Sequence, residues 1–479
     1  MRFSEYFELD RTQPYLDFVD IPIDTDLAVF LEPIAIKKLD SNWGNELSSM
    51  LQTFFEAVLK AIKKSDHKRA KSLLSSLNES NEFHLGYSKG KSRGHGFGVE
   101  SADTVWSALT SSNAAITGLL KDLEDTALLI PNIGSDMISD AVCNILRGPL
   151  IKYTQDMCNY YGVNMTPDIP SGPIWNPILE VWEERLISLP ITPHGKVILV
   201  PKLLVRMKLS YSSSDFYRHY LLPEMQREHI ESHSPLVRLL KNGNHRVHKK
   251  DLIKKYGKDK LAVAEQARLR PNILEEYREQ KAEEPLKPMS FDDFAFVEKS
   301  KKPDVTPLLE ELKETKKGTK YATKYEDIIE RILTLVFYPS LCNPKKQHNI
   351  HQKRKRIDIT YNNEAKSGFF YWLALHHPSS QIFVECKNYS NEISNPEIDQ
   401  LSGRFSPSRG KVGFLVYRDI EDKEKLIQRC IDTANDHRGF IIPLDDNDII
   451  NLAKNVNSDE QVDYNHYLEK LFNRLISSN

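Results

Sequence analysis

The chain has 479 residues, 40% of them hydrophobic and 28% charged, with a formal net charge of -2. That length exceeds one ordinary core and calls for two or three domains of a soluble globular protein, while near-neutrality leaves nucleic-acid binding to local basic patches. The N-terminus MRFSEYFELD has no apolar h-region, runs such as VILV (197–200) fall short of the ~20 residues of a membrane span, and five scattered cysteines without CxxC spacing fit a reduced, cytoplasmic protein.

In chain order, LSSMLQTFFEAVLKAI (48–63) reads as an amphipathic helix, and SALTSSNAAITGLLKDL (107–123) and SDMISDAVCNILRGPLIKYTQDMCNYYG (135–162) as long helices. GKVILVPKLLVR (195–206) reads as a strand pair or one long strand, so residues 1–275 form an α-rich α+β region. Between these lies GYSKGKSRGHGFG (86–98), which is no P-loop: Gly86 and Gly90 enclose three residues instead of four, and no apolar strand precedes them. Lys89, Lys91, Arg93 and His95 there could touch a phosphate, although a surface loop explains them as well. Asp122, Glu124, Asp125, Asp136 and Asp140 form an acidic cluster that could suggest a second metal site, although Ser135 and Asp136 capping the helix that follows, with Asp140 one turn later, account for it better. The segment 276–320, dense in charge and proline, reads as a linker with one short helix.

From 321 to 479 the pattern changes. YEDIIERILTLVF (325–337) has helical spacing, RIDITYNN (356–363) alternates as a strand, and FFYWLAL (369–375) leans to helix. IFVECKN is a strand, NPEIDQLSGRF (395–405) a helix, KVGFLVY (411–417) a strand, KEKLIQRCIDTANDH (423–437) a helix and GFIIPL (439–444) a strand. This order describes an α/β domain with a mixed central sheet flanked by helices.

Side chains two apart on a strand share a face, so Glu385 and Lys387 project together about 7 Å apart. On RIDIT, Asp358 faces away from Ile357 and Ile359. If the two strands pair, Asp358 and Glu385 converge on one hard cation, with the backbone carbonyl of Cys386 as a third oxygen. Lys387 beside it can hold or deprotonate an attacking water and offset charge on a phosphate, which makes a phosphodiester hydrolase site. Acid-x-Lys recurs at Asp66-His67-Lys68, Glu364-Ala365-Lys366 and Glu311-Leu312-Lys313, but the last two lie in a turn and in the polar linker.

Asp358 followed 27 positions later by Glu385-Cys386-Lys387 resembles the PD-(D/E)XK nuclease superfamily, in particular its restriction-endonuclease-like, Mrr-type branch, over about residues 321–454. The resemblance implies a DNA endonuclease that uses Mg²⁺, with Mn²⁺ as substitute. It also implies a supporting role for Glu326 on the preceding helix and for Gln400 on the following one. Ile357 stands where the family has proline, and the strand expected ahead of Arg354 is hard to see.

Lys353, Arg354, Lys355 and Arg356 upstream of Asp358, and Arg404, Arg409 and Lys411 beyond the motif, are the expected phosphate contacts. Cys342, His348 and His351 match no standard zinc spacing. Two functions remain: a DNA endonuclease, with restriction or anti-phage defence by analogy, or a nuclease-fold nucleic-acid-binding or assembly protein without activity; RNA stays open as substrate. A double-strand break needs two sites, so a homodimer or higher oligomer is expected, and the N-terminal region would select the target, bind a protein partner or restrain the nuclease.

Overall fold

The structure, a computed structural model, describes residues 1–39, 41–77, 81–86, 108–110, 112–284, 286–350, 355–389, 393, 395–418, 420–454, 456 and 464–476, with 347–350 and 355–356 described as backbone. The loop 86–98 lies outside them, Gly86 excepted, as do Lys353 and Arg354. The protein is of mixed helix and sheet, and it divides into two compact units: 1–10 with 18–289, and 11–17 with 290–479.

The C-terminal unit is built on one five-stranded sheet. Its elements are α1 (Ala322–Phe337), β1 (Leu341–Ile350), β2 (Lys355–Asn363), α2 (Gly368–His376), β3 (Gln381–Lys387), α3 (Asn395–Ser402), β4 (Val412–Tyr417), α4 (Lys423–Asn435) and β5 (Phe440–Asp445). Sheet order follows the chain, with β1, β2 and β3 antiparallel and β3, β4 and β5 parallel. Every residue of β4 is buried, and so is β3 between its end residues, as expected of parallel strands covered on both faces. α1 packs on the first three strands through Tyr325, Ile328, Ile329, Ile332 and Leu333.

β1 is the strand that the sequence concealed. Its polar run KKQHN and its Pro344 argue against a strand, but β1 is an edge, and Pro344 falls where the register shifts between Cys342 and Lys345. Proline is tolerated at edges and bulges, where no ladder N–H is required.

The segment 276–320 is more structured than a linker. It holds the end of a helix Pro271–Glu283 in the N-terminal unit, then helices Phe291–Glu298 and Thr306–Glu314 in the C-terminal unit. Leu308 and Leu312, one turn apart among charged residues, are buried, and Ser290 with Asp293 forms a capping box.

The N-terminal unit combines helices with two-stranded sheets. The amphipathic helix spans Asn42–Lys63, capped by Ser41 and burying Leu47, Leu51, Phe54, Phe55 and Val58. The long helix expected over 135–162 is two, Ser135–Ile145 and Arg147–Tyr161, broken at Leu146; Gly134 is the N-cap, and Ser135 is the first helical residue. Over 107–123 the described residues give no long helix, because Ser112 caps a single turn, Asn113–Ile116, and Gly118 at φ 78° leaves helical geometry. Residues 195–206 hold only two short strands, Gly195–Lys196 and Val205–Arg206. Val197–Val200 between them are buried and bonded to scattered partners, such as Leu199 N–H to Thr154 Oγ1 at 2.9 Å. Three of these acidic residues are paired with cations: Asp125 accepts from Arg278 Nε at 3.0 Å, and Asp122 and Glu124 pair with Lys37 at 3.1 and 2.8 Å.

Residues 11–17 complete the C-terminal unit. Arg11 Nη1 and Nη2 donate to Glu330 Oε1 and Oε2 at 3.0 and 2.7 Å, and Glu330 is fully buried on α1. Removing one partner of a buried pair leaves a buried charge, which costs about 3–5 kcal/mol. Arg11→Ala is therefore expected to lower the unfolding free energy of the C-terminal unit by about 3–5 kcal/mol, seen as a lower urea midpoint, and Glu330→Gln in the same protein to recover part of it. Unfolding of Arg11→Ala at the wild-type midpoint would rule out this role.

Candidate active site

β2 and β3 meet in antiparallel register from Asn362–Gln381 to Ile359–Val384. One step further lie Asp358 and Glu385, where the main-chain ladder gives way and the Cys386 N–H donates to Asp358 Oδ2 at 2.9 Å. Ile357, Ile359, Phe383 and Val384 are fully buried, so the apolar residues fix the register that brings the two carboxylates together. Asp358 is 8% exposed and Glu385 2%.

Lys387 Nζ donates to Glu385 Oε1 at 2.9 Å and lies 3.4 Å from Gln400 Oε1 on α3. Arg404 Nη1 donates to Glu385 Oε2. Glu326, buried on α1, acts electrostatically on Cys386 and on Lys346, which is paired with Asp327. The turn after Lys387 is anchored: Asn388 Nδ2 donates to the carbonyls of Lys316 and Gly318 at 3.1 and 3.0 Å, and Arg418 Nη1 donates to Asn388 Oδ1 at 3.2 Å. Burial, and then the charge of Glu385, raise the pKa of Asp358 from 3.8 to about 6 against the pull of the Cys386 N–H, Lys387 and Arg404. Burial also drives the Cys386 thiol well above its ordinary range.

The structure thus brings together Asp358, Glu385, Lys387 and Gln400, with Glu326 nearby. The basic residues distribute differently from the expected phosphate-contacting surface. Arg404 is buried inside the site: it stands in the turn just beyond α3, and its guanidinium reaches Glu385. Arg409 and Lys411 precede β4 at the other end of β3: the Gln381 N–H donates to the Arg409 carbonyl at 2.7 Å, and Gln381 is four residues, about 13 Å, from Glu385. Lys355 and Arg356 lie on β2 by their backbone.

Among the described residues, no three His, Cys, Asp or Glu side chains are grouped to hold a metal ion. The residues that could hold a cation there are two carboxylates, Asp358 and Glu385, with the main-chain carbonyl of Cys386. Such a set would suit Mg²⁺, which is commonly bound through one or two carboxylates and keeps several waters.

Comparison with known proteins adds little. A family model described as "Domain of unknown function (DUF8370)" matches residues 8–212, less than half of the chain and ahead of the candidate site. No curated protein and no solved structure matches. Among the described residues no helix is long and apolar enough to cross a membrane.

Because the folded state holds the Asp358 proton more tightly than the unfolded chain, this residue's contribution to stability is largest below pH 3.8 and declines as pH rises through about 6. Asp358→Asn keeps an acceptor for the Cys386 N–H and removes the buried charge. In EDTA at pH 8 it should be more stable than wild type by up to about 3 kcal/mol, with the difference vanishing near pH 4. Thermal melts across that range check this, and a gap that widens toward acid would contradict it.

Proposed function

We propose that the C-terminal unit is a metal-dependent endonuclease of the PD-(D/E)XK type that hydrolyses phosphodiester bonds of DNA. The observation that carries the reading is the convergence of Asp358 and Glu385 from adjacent antiparallel strands, with Lys387 two residues beyond Glu385 and bonded to it. An antiparallel β1–β2–β3 run continuing into parallel strands, behind a helix that carries Glu326, supports the restriction-endonuclease-like reading of the fold.

Asp358, Glu385 and the carbonyl of Cys386 would hold Mg²⁺ or Mn²⁺, which as a Lewis acid activates water and polarises phosphate. Lys387 does its work through geometry. Glu385 and Gln400 accept from its ammonium, which leaves a third N–H to orient the attacking water and to offset negative charge gathering on the phosphate. Arg404 holds the second oxygen of Glu385 and so fixes the direction of that carboxylate. Glu326 adds negative charge behind the strand. The chemistry acts on the phosphate and does not read the sugar, so DNA is assigned by the resemblance, as is a role in restriction or anti-phage defence. Cutting both strands calls for two sites and hence a homodimer or higher oligomer.

Plasmid incubated with the full chain and Mg²⁺ should be nicked or linearised, and EDTA should abolish this. Lys387→Ala should lose at least about 10²-fold in rate while still binding the metal, and Asp358→Ala should lose cleavage together with metal affinity. If Glu385 and Lys387 were only a structural ion pair, Lys387→Ala would cleave at the wild-type rate. No cleavage by folded wild-type protein on duplex, single-stranded or RNA substrates would favour a binding protein with a silent nuclease fold.

A further inference from the structure

Residues 238–260 of the N-terminal unit carry nine Lys or Arg against two Asp. They fold into a hairpin, Arg238–Leu239 with His245–Arg246, followed by helix Lys249–Tyr256, a turn at Gly257, and helix Lys260–Leu269. The scaffold is ordered from within. Val247 and Leu252 are fully buried, Arg238 pairs with Asp251 at 2.8 Å to tie the hairpin to the first helix, and Tyr217 Oη donates to the Gly257 carbonyl at 2.6 Å. Gly257 at φ 89° turns the chain, and Asp259 caps the second helix by accepting from the Ala262 N–H at 3.0 Å.

Both aspartates are therefore committed inside the scaffold. Lys241, Arg246, Lys250, Lys254, Lys255 and Lys258 are exposed, and none of them has an ion pair among the described residues. Lys250 and Lys254 lie four residues apart on one face of the helix, stepping by about 6 Å, and Lys258 stands exposed in the turn that follows. Beside it projects the hairpin tip, Lys241-Asn242-Gly243-Asn244, every residue of which is exposed.

A solvated helix face normally mixes signs, because exposed like charges one turn apart repel. A cluster of one sign on a folded frame, whose two aspartates are used within it, suits a polyanion. We infer that this hairpin and helix form a second nucleic-acid-binding surface, which grips the phosphate backbone of a duplex without reading sequence. The choice of a nucleic acid over other polyanions rests on the endonuclease reading of the C-terminal unit. Lysines at this spacing act as point charges on phosphates, and their binding releases counterions. The surface is thus suited to hold substrate in any sequence context, a task that the N-terminal unit can perform by itself.

The test uses the full chain in EDTA, so that cleavage plays no part, and a fluorescent duplex of about 30 base pairs read by anisotropy across a salt series. Lys250→Ala/Lys254→Ala/Lys258→Ala alters only exposed side chains and should keep the wild-type circular dichroism. It is expected to bind at least about 10-fold more weakly at low salt, and to flatten the dependence of log K on log salt by about 2 to 3, near 0.9 for each lost phosphate contact. Equal affinity and slope for the variant and the wild type would overturn the inference. So would loss of binding to vesicles of anionic phospholipid with duplex binding unchanged. If the wild type fails to cleave DNA in Mg²⁺ while the variant loses duplex binding, the endonuclease reading falls and this surface stands.

Discussion

The antiparallel register between β2 and β3 is the constraint on which the site depends. Side chains alternate along a strand, so a slip of one residue would place Ile357 or Ile359 where Asp358 stands and turn the carboxylate into the apolar layer. What prevents the slip is burial. Ile357, Ile359, Phe383 and Val384 are all fully buried, and each contributes about 1.5–3 kcal/mol from leaving water. Their sum exceeds the penalty of about 3 kcal/mol implied by the raised pKa of Asp358. The hydrophobic pattern thus holds in place a pair of acids that would otherwise separate.

The two acids are treated unequally. Glu385 has a cation on each oxygen, Lys387 on one and Arg404 on the other. Asp358 takes a main-chain N–H and retains the cost of burial beside a like charge. A carboxylate held by a cation on each oxygen is fixed in direction, whereas one whose charge is unbalanced gains from any cation that arrives.

The central elements of the C-terminal unit were legible because their signals are local. The spacing in YEDIIERILTLVF and the apolar runs before Glu385 and before Tyr417 each specify an element without help from elsewhere. β1 was not, since an edge strand needs few apolar residues and its Pro344 is accommodated by a register shift that no local pattern announces. Leu308 and Leu312 were hidden for a related reason: two apolar residues suffice to dock a short helix when the surrounding charges stay in water. In the N-terminal unit the run Val197–Val200 has the composition of a strand, but Pro201 and bonds to Thr154 and Glu82 hold it outside any ladder. Arg404 looked like a surface cation because arginine usually is one, and only its tertiary partner Glu385 makes its burial tolerable.

Net charge illustrates the limit of a global number. A chain at -2 has no reason to approach a polyanion as a whole, yet electrostatic influence fades over roughly 8–10 Å at ordinary salt, so acids elsewhere do little to neutralise the cations of 238–260. What matters is which carboxylates lie within reach. There Asp251 is spent on Arg238 and Asp259 on a helix cap, while Lys250 and Lys254 stand exposed one turn apart and Lys258 stands exposed just beyond the helix. Composition could not reveal this, because it depends on how the two acids are used. That use follows from the hairpin, the helix and the turn as folded, so a surface of one sign can arise in a protein of almost balanced charge.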